Sequence, residues 1–448
     1  MPDIKILREI RILPPLGIAR LGSSKVPMDN YTFSTYVPSD KYRKIIGAET
    51  LVVENGIVTH VNIPNKVRFK DNSGNVKPIA PFFEIWAIFD DNEVLEPLTL
   101  EHLKQLGITA DAITWRVHVA NLKAYRRTGN INDKVEVATE DFSDNKLRNL
   151  LGKSNHFKDG KFIPFGTVQY ISPTVDFPEI RLRFTPAAGK VYGPKPKSED
   201  PNVADDVYNA IKGGWDNHAD GDASTPLSTI PGNIYFGDEN SQAGRYISHG
   251  YLDDTCDGII EAKITVQDQT LTSFARVTVG PPDFAPDSFP LRTVADELEQ
   301  IIYGPEVVSP VKPSEVVDVM RRVVETVRLI NTEVMNGNNN VGDGTENRNN
   351  MARHDARSYG RVLEPIFMES IVEPSLVHGF HQSALEDLEN GTKPWFFDKL
   401  RKYNEVGNLT NSGRRKMPGM MRGSDGMHLA LTRRQINKFN ALSDEPRT

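Results

Sequence analysis

Ile259-Ile-Glu-Ala-Lys-Ile-Thr-Val266 and, after a short polar turn, Leu271-Thr-Ser-Phe-Ala-Arg-Val-Thr-Val279 lead into Gly280-Pro-Pro-Asp283. Apolar residues recur at every second position in the first run and, apart from Ser273, in the second, the spacing of strands with one buried face. Beyond the two prolines the apolar period changes to about 3.6, the helical value. This stretch therefore predicts an α+β protein. Residues 1–290 form a β-rich part with antiparallel sheets, sandwich-like and with long loops, and residues 291–448 form a mainly helical part that covers it.

Working outward toward the N-terminus, Ile180-Arg-Leu-Arg-Phe-Thr185 and Trp115-Arg-Val-His-Val-Ala-Asn121 alternate in the same way. Pro81-Phe-Phe-Glu-Ile-Trp-Ala-Ile-Phe89 is continuously apolar and aromatic, the composition of a strand buried on both faces. Val67-Arg-Phe-Lys70 and the turn Asp71-Asn-Ser-Gly74 before it suggest a hairpin or meander. Ile10 to Gly22 reads as a strand, a Pro14-Pro15 bend and a second short strand. Between 193 and 250 the texture is Pro, Gly, Asn and Asp, which reads as long loops with a short helix over 203–211.

On the C-terminal side, Thr293 caps a helix through Tyr303, stopped by Gly304-Pro305. Ser314 caps a long helix to Met335 with Val316, Val317, Met320, Val323, Val324, Val327 and Ile330 on one face. The Asn- and Gly-rich run 336–350 reads as a mobile loop, and helices resume over 351–367, 375–390 and 394–404. From Gly391 onward, twelve Lys or Arg stand against five Asp or Glu. Such a basic tail faces either an acidic partner or an acidic surface of the same chain.

The chain has 448 residues, 38% of them hydrophobic, and a net charge of −7. No global basic field favours nucleic acid or an anionic membrane. A single cysteine excludes an intrachain disulfide, and charges interrupt the N-terminal residues before an apolar signal core can form. These features, with no run long enough to span a bilayer, predict a cytoplasmic protein. Walker, dinucleotide-binding and His-Glu-x-x-His motifs are absent, as are internal repeats.

The densest chemistry is Gly250-Tyr-Leu-Asp253-Asp254-Thr-Cys256-Asp257-Gly258. Cys256 with Asp253, Asp254 and Asp257 forms a candidate catalytic group, and Trp215 is the candidate aromatic partner alongside Trp86, Trp115 and Trp395. A thioether between sulfur and indole needs direct contact and a carboxylate to take protons. Three anions, however, raise a thiol's pKa and blunt it as a nucleophile, and buried cysteines commonly serve as small apolar residues. The same acids, with Asp216, Asp220 and Asp222, offer oxygen ligands for a hard cation, although their spacing fits no EF-hand loop. Capping of turn amides is the competing role. His118, His354, His378 and His381 are candidate bases or ligands, or plain hydrogen-bonded histidines. Arg181 and Arg183 share one strand face, where they either clamp a carboxylate or form ordinary salt bridges.

Pro14-Pro-Leu-Gly-Ile-Ala-Arg-Leu-Gly-Ser23 resembles the N-terminal signature of the L-lysine epsilon-oxidase (LodA-like) family of quinoprotein amino-acid oxidases. Gly250 to Gly258 and Lys416-Met-Pro-Gly-Met-Met-Arg-Gly-Ser-Asp425 resemble two further stretches of that family, the second of which precedes a terminal helix. The resemblance implies a scaffold that builds a cysteine tryptophylquinone from its own side chains with a flavoprotein helper. Such a protein deaminates an amino acid to an aldehyde or keto acid, ammonia and hydrogen peroxide. In the family the crosslinked Cys and Trp follow the Lys-Met-Pro stretch. Neither residue type follows Pro418 here, and Cys256 stands where the family does not use a cysteine for the cofactor. The expectation is accordingly a LodA-like protein with no cofactor, one that binds a small molecule or a protein partner or serves as a component of a larger assembly, with an amino-acid oxidase as the alternative.

Overall fold

The computed structural model describes residues 6–189 except 36–42, 70, 74, 91, 124, 126–130 and 154–161. It also describes 252–280 except 267–268, 291–328 except 309, parts of 383–405, 431–444, and the backbone of short strands within 191–248.

Fifteen labelled strands carry the β-rich part. They are β1 (Leu7–Leu13), β2 (Leu16–Arg20), β3 (Tyr31–Phe33), β4 (Ile45–Gly47), β5 (Thr50–Glu54), β6 (Ile57–Asn62), β7 (Phe82–Phe89) and β8 (Asn92–Pro97). After helix α1 (Leu100–Gln105) come β9 (Ile113–Asn121), β10 (Val135–Ala138), β11 (Arg148–Gly152), β12 (Ile163–Ile171) and β13 (Arg181–Pro186). The last two are β14 (Asp257–Val266) and β15 (Gln269–Gly280).

One six-stranded sheet has the order β1-β7-β13-β12-β11, with β8 also on β7, and a five-stranded sheet has the order β10-β9-β14-β15-β2. Alternation explains why they face each other. Ile113, Trp115, Val117 and Val119 of β9 and Ile260, Ala262 and Ile264 of β14 join one apolar core with Phe83, Ile85, Ala87 and Phe89 of β7 and with Leu182 and Phe184 of β13. The Pro14-Pro15 bend is the point where the chain leaves one sheet and joins the other. β1 lies antiparallel to β7, whereas β2 lies parallel to β15, so the second sheet is mixed rather than wholly antiparallel.

Three local readings need correction. β7 is fully enclosed on one face only, because Phe82, Glu84, Trp86 and Ile88 are half-buried on the other. Val67 to Phe69 is no strand and does not pair with β7. Val67 and Phe69 instead close a small cluster with Met28 beneath β3 and β4, while the Asp71 carboxylate accepts the Ser73 and Asn75 amides in the expected turn. Within the stretch read as a helix over 203–211, the two described residues Tyr208–Asn209 are extended and pair with Gly214–Trp215, and the rest of that stretch lies outside the described residues.

The helical part has its own core, built from Leu291, Val316, Val317, Val319, Met320, Leu431, Ile436, Phe439 and neighbours. Helix α2 (Val294–Tyr303) starts at Thr293, where the Thr293 hydroxyl accepts the Asp296 amide and the Asp296 carboxylate accepts the Thr293 amide. It stops at Gly304, whose φ of 75° lies in the left-handed region. Helix α3 (Pro313–Arg328) begins one residue before Ser314, with proline at its first position, and buries Val316, Val317 and Met320 as expected. Val323, Val324, Val327 and Ile330, the run 336–350, and most of the helices expected over 351–404 lie outside the described side chains. In helix α4 (Arg433–Asp444) the basic residues meet acids of the two preceding helices: Arg434 pairs with Glu299 at 3.0 Å, and Lys438 pairs with Glu299 at 2.7 Å and Glu315 at 2.8 Å. Among the described residues no helix is long and apolar enough to cross a membrane.

Gly166 of β12 has a φ of 116°, and a Cβ there would lie 2.0 Å from the Thr185 carbonyl oxygen. Gly166→Ala should destabilise the fold by roughly 3 kcal/mol or more through backbone strain and clash. Gly280→Ala, whose Cβ would meet nothing nearer than 3.7 Å, should stay within about 0.5 kcal/mol of the parent. Thermal unfolding followed by circular dichroism separates the two.

Candidate functional site

The loop into β14 is held in place by its neighbours. Leu252–Asp253 pairs with Val191–Tyr192, and the Val279 amide donates to the Cys256 carbonyl at 2.9 Å. Gly258 is the only residue type that fits its position, because a Cβ there would come within 2.3 Å of the His118 carbonyl oxygen across the ladder to β9. The strand thus turns inward just before Asp257, which carries Cys256 into the apolar core at 3% exposure.

The three carboxylates diverge. Partly buried Asp253 forms an ion pair with Lys123 and accepts the Thr255 hydroxyl at 2.6 Å. The Asn121 side-chain amide donates to the Asp253 carboxylate at 3.2 Å, to its carbonyl at 2.9 Å and to the Thr255 carbonyl at 3.0 Å. Fully buried Asp254 accepts the Gly189 amide at 3.1 Å, tying β14's approach to the end of β13. Exposed Asp257 accepts the Thr278 hydroxyl at 2.5 Å across the β14–β15 ladder. These are turn- and strand-fixing bonds, the capping role weighed for these residues. Among the described residues no three His, Cys, Asp or Glu side chains converge as a metal site.

Electrostatics follow from this geometry. Burial pushes the Cys256 thiol far up, and the charges of Asp257, Asp254 and Asp253 add to the rise. A thiol in that state holds almost no thiolate near neutral pH and is a poor nucleophile. Burial also acts to raise the Asp253 carboxyl, but the charge and hydrogen bond of Lys123 and the bonds from Thr255 outweigh it, leaving the group below the usual carboxylate range.

Neither described tryptophan is placed to take the sulfur. Trp115 opposes Ala262, six residues along β14 from Cys256, a span of about 20 Å at the rise of a strand. Trp86 lies on the half-buried face of β7, turned away from the core that holds Cys256. The described residues therefore do not fit a Cys256-based tryptophylquinone. The side chains of Trp215 and Trp395, along with Asp216, Asp220, Asp222, His354, His378 and His381, lie outside the described residues.

The two remaining candidates are resolved in the structure. His118 sits on the exposed face of β9, with Nε2 3.3 Å from Glu136 on β10, a surface pair. Arg181 and Arg183 separate in role. Arg181 is clamped by Glu84 at 2.6 Å and Glu179 at 2.9 Å, whereas Arg183 lies over the Phe82 ring at 5.0 Å. Lys123, Asn121, Gly189 and Glu84 complete these groups from far away in sequence, where no local pattern marks them, whereas Glu179 stands two residues before Arg181.

Residues 13–229 match the family model described as L-Lysine epsilon oxidase N-terminal. No curated protein matches the chain. The family match supports LodA-like kinship for the part of the sandwich it covers, and the Cys256 loop and the Lys416-Met-Pro stretch lie beyond it.

Because Asp253 titrates lower folded than unfolded, its contribution to stability is complete above the ordinary carboxylate value of about 4 and disappears as the pH falls through the folded value. Asp253→Asn should be less stable than the parent at pH 7, with the gap narrowing in acid titrations below pH 4. Lys123→Met, which strands a carboxylate, should cost about 3 kcal/mol by denaturant unfolding. Cys256 should resist a thiol reagent in the native protein and react once in denaturant, as followed by absorbance.

Proposed function

We propose that this chain is a LodA-like, non-quinone protein that binds a small molecule or a protein partner, or serves as a component of a larger assembly, in a reducing compartment. The observation that carries this reading is the state of Cys256, the only cysteine of the chain: it is enclosed in the sandwich core, its thiol is held protonated, and the surrounding carboxylates hold the fold together. Crosslinking chemistry needs a sulfur against an indole and a carboxylate able to accept protons. Around Cys256 those carboxylates already accept hydrogen bonds from Lys123, Asn121, Thr255, Gly189 and Thr278.

The match to the oxidase N-terminal model favours a second reading. In it the chain belongs to an amino-acid oxidase of L-lysine epsilon or glycine type whose quinone is built differently or supplied by a separate chain, with a flavoprotein partner for maturation. Its products would be an aldehyde or keto acid, ammonia and hydrogen peroxide.

Intact mass, quinone redox staining and a peroxide assay with lysine and with glycine distinguish the two. The first reading expects the encoded mass of 50.1 kDa, no stain and no peroxide. A stained band, or peroxide release dependent on either amino acid, establishes the second.

A further inference from the structure

Among the described candidates, Arg183 is the one whose surroundings leave its chemistry unspent. It sits on β13 between Phe82 of β7 and Gln169 of β12, its registered neighbours on either side. Gln169 turns aside to donate to the Asn145 carbonyl at 3.0 Å, and Phe82 offers only its ring face. The acids of the same face, Glu84 and Glu179, are both taken by Arg181. Among the described residues no carboxylate pairs with Arg183, and its Nε is enclosed without an acceptor. Burial alone pulls the guanidinium down to about 10, with no anion opposing that shift. An arginine held this way is desolvated and oriented by a ring, the state in which a bidentate oxyanion gains most from binding.

We propose that the outer face of β13 carries a carboxylate-binding subsite centred on Arg183, with Phe82 as its stacking floor. With Nε enclosed, the edge left to an incoming ligand is the end-on one, where Nη1 and Nη2 donate to the two carboxylate oxygens. The ligand class is a small monocarboxylate, of which a free amino acid is one example. Its planar pair of oxygens matches the fork, and the half-buried ring beside it suits a short apolar or uncharged remainder. The subsite stands on the surroundings of Arg183 alone and is independent of whether the oxidase reading holds.

The test is isothermal titration of the full-length protein with sodium acetate and with glycine, against sodium chloride and sodium phosphate at matched ionic strength, together with the melting midpoint. Saturable heat with acetate, and a midpoint rise on the order of 3 °C at about ten times the dissociation constant, are expected. Chloride should give neither. Arg183→Met should abolish both responses while leaving the salt-free midpoint unchanged or higher, because it removes a half-buried charge that lacks an anion. A merely structural arginine would lower that midpoint instead. Should Arg183→Met fail to fold, Arg183→Gln carries the same comparison. Acetate responses equal to those in chloride, responses that persist in the variant, or binding of phosphate in preference to acetate would each overturn the assignment.

Discussion

Ile260, Ala262 and Ile264 of β14 must face the core at the same time as Ile113, Trp115, Val117 and Val119 of its neighbour β9, and the structure depends on this shared inward face. Each isoleucine and valine among them contributes about 1.5–3 kcal/mol when buried. A slip of one residue in the β9–β14 pairing would turn all of them to solvent. That constraint fixes where β14 begins, and so fixes Asp257 on the outside and Cys256 on the inside. The chemistry of the loop follows from the register of the strand.

The same register explains why the three acids do not act together. Asp253, Asp254 and Cys256 lie before the regular alternation of β14, where the backbone still turns, so successive side chains leave in different directions toward β9, β13 and the core. Density in the sequence is not convergence in space. Backbone amides and carbonyls at the mouth of a sheet need partners, and short acidic side chains supply them at the least conformational cost.

Period-two and period-3.6 patterns made most of the architecture legible: β9, β13, β14 and β15 lie where alternation placed them, β7 where a continuous apolar run did, and the helix after Thr293 where its cap did, while the next helix opens at Pro313 rather than at a Ser314 cap. What stayed hidden is non-local. The parallel pairing of β2 with β15 depends on the Pro14-Pro15 bend carrying the chain between sheets, and no local pattern states which edge a strand will join. Val67 to Phe69 alternates because two side chains seal a small cluster, and that requires no strand partner. The candidate groups were half legible. Asp253 and Cys256 were visible, but Lys123, Asn121 and Gly189, which determine what they can do, are far removed along the chain.

Arg181 and Arg183 show why residue type and spacing alone could not assign a role. Both stand on one face of one strand, and both were equally suited to a clamp or to a salt bridge. Register decides between them: Arg181 falls opposite Glu84, whereas Arg183, two residues further on, falls opposite Phe82. An aromatic ring desolvates and orients a guanidinium but neutralises none of its charge. A buried cation facing a carboxylate is a closed unit whose energy is already spent on the fold. One facing a ring keeps its unmet electrostatic demand, and an anion from outside the fold can satisfy it. A family match over residues 13–229 does not specify chemistry by itself. Side chains whose interactions the fold has left open, as at Arg183, are where binding chemistry remains available.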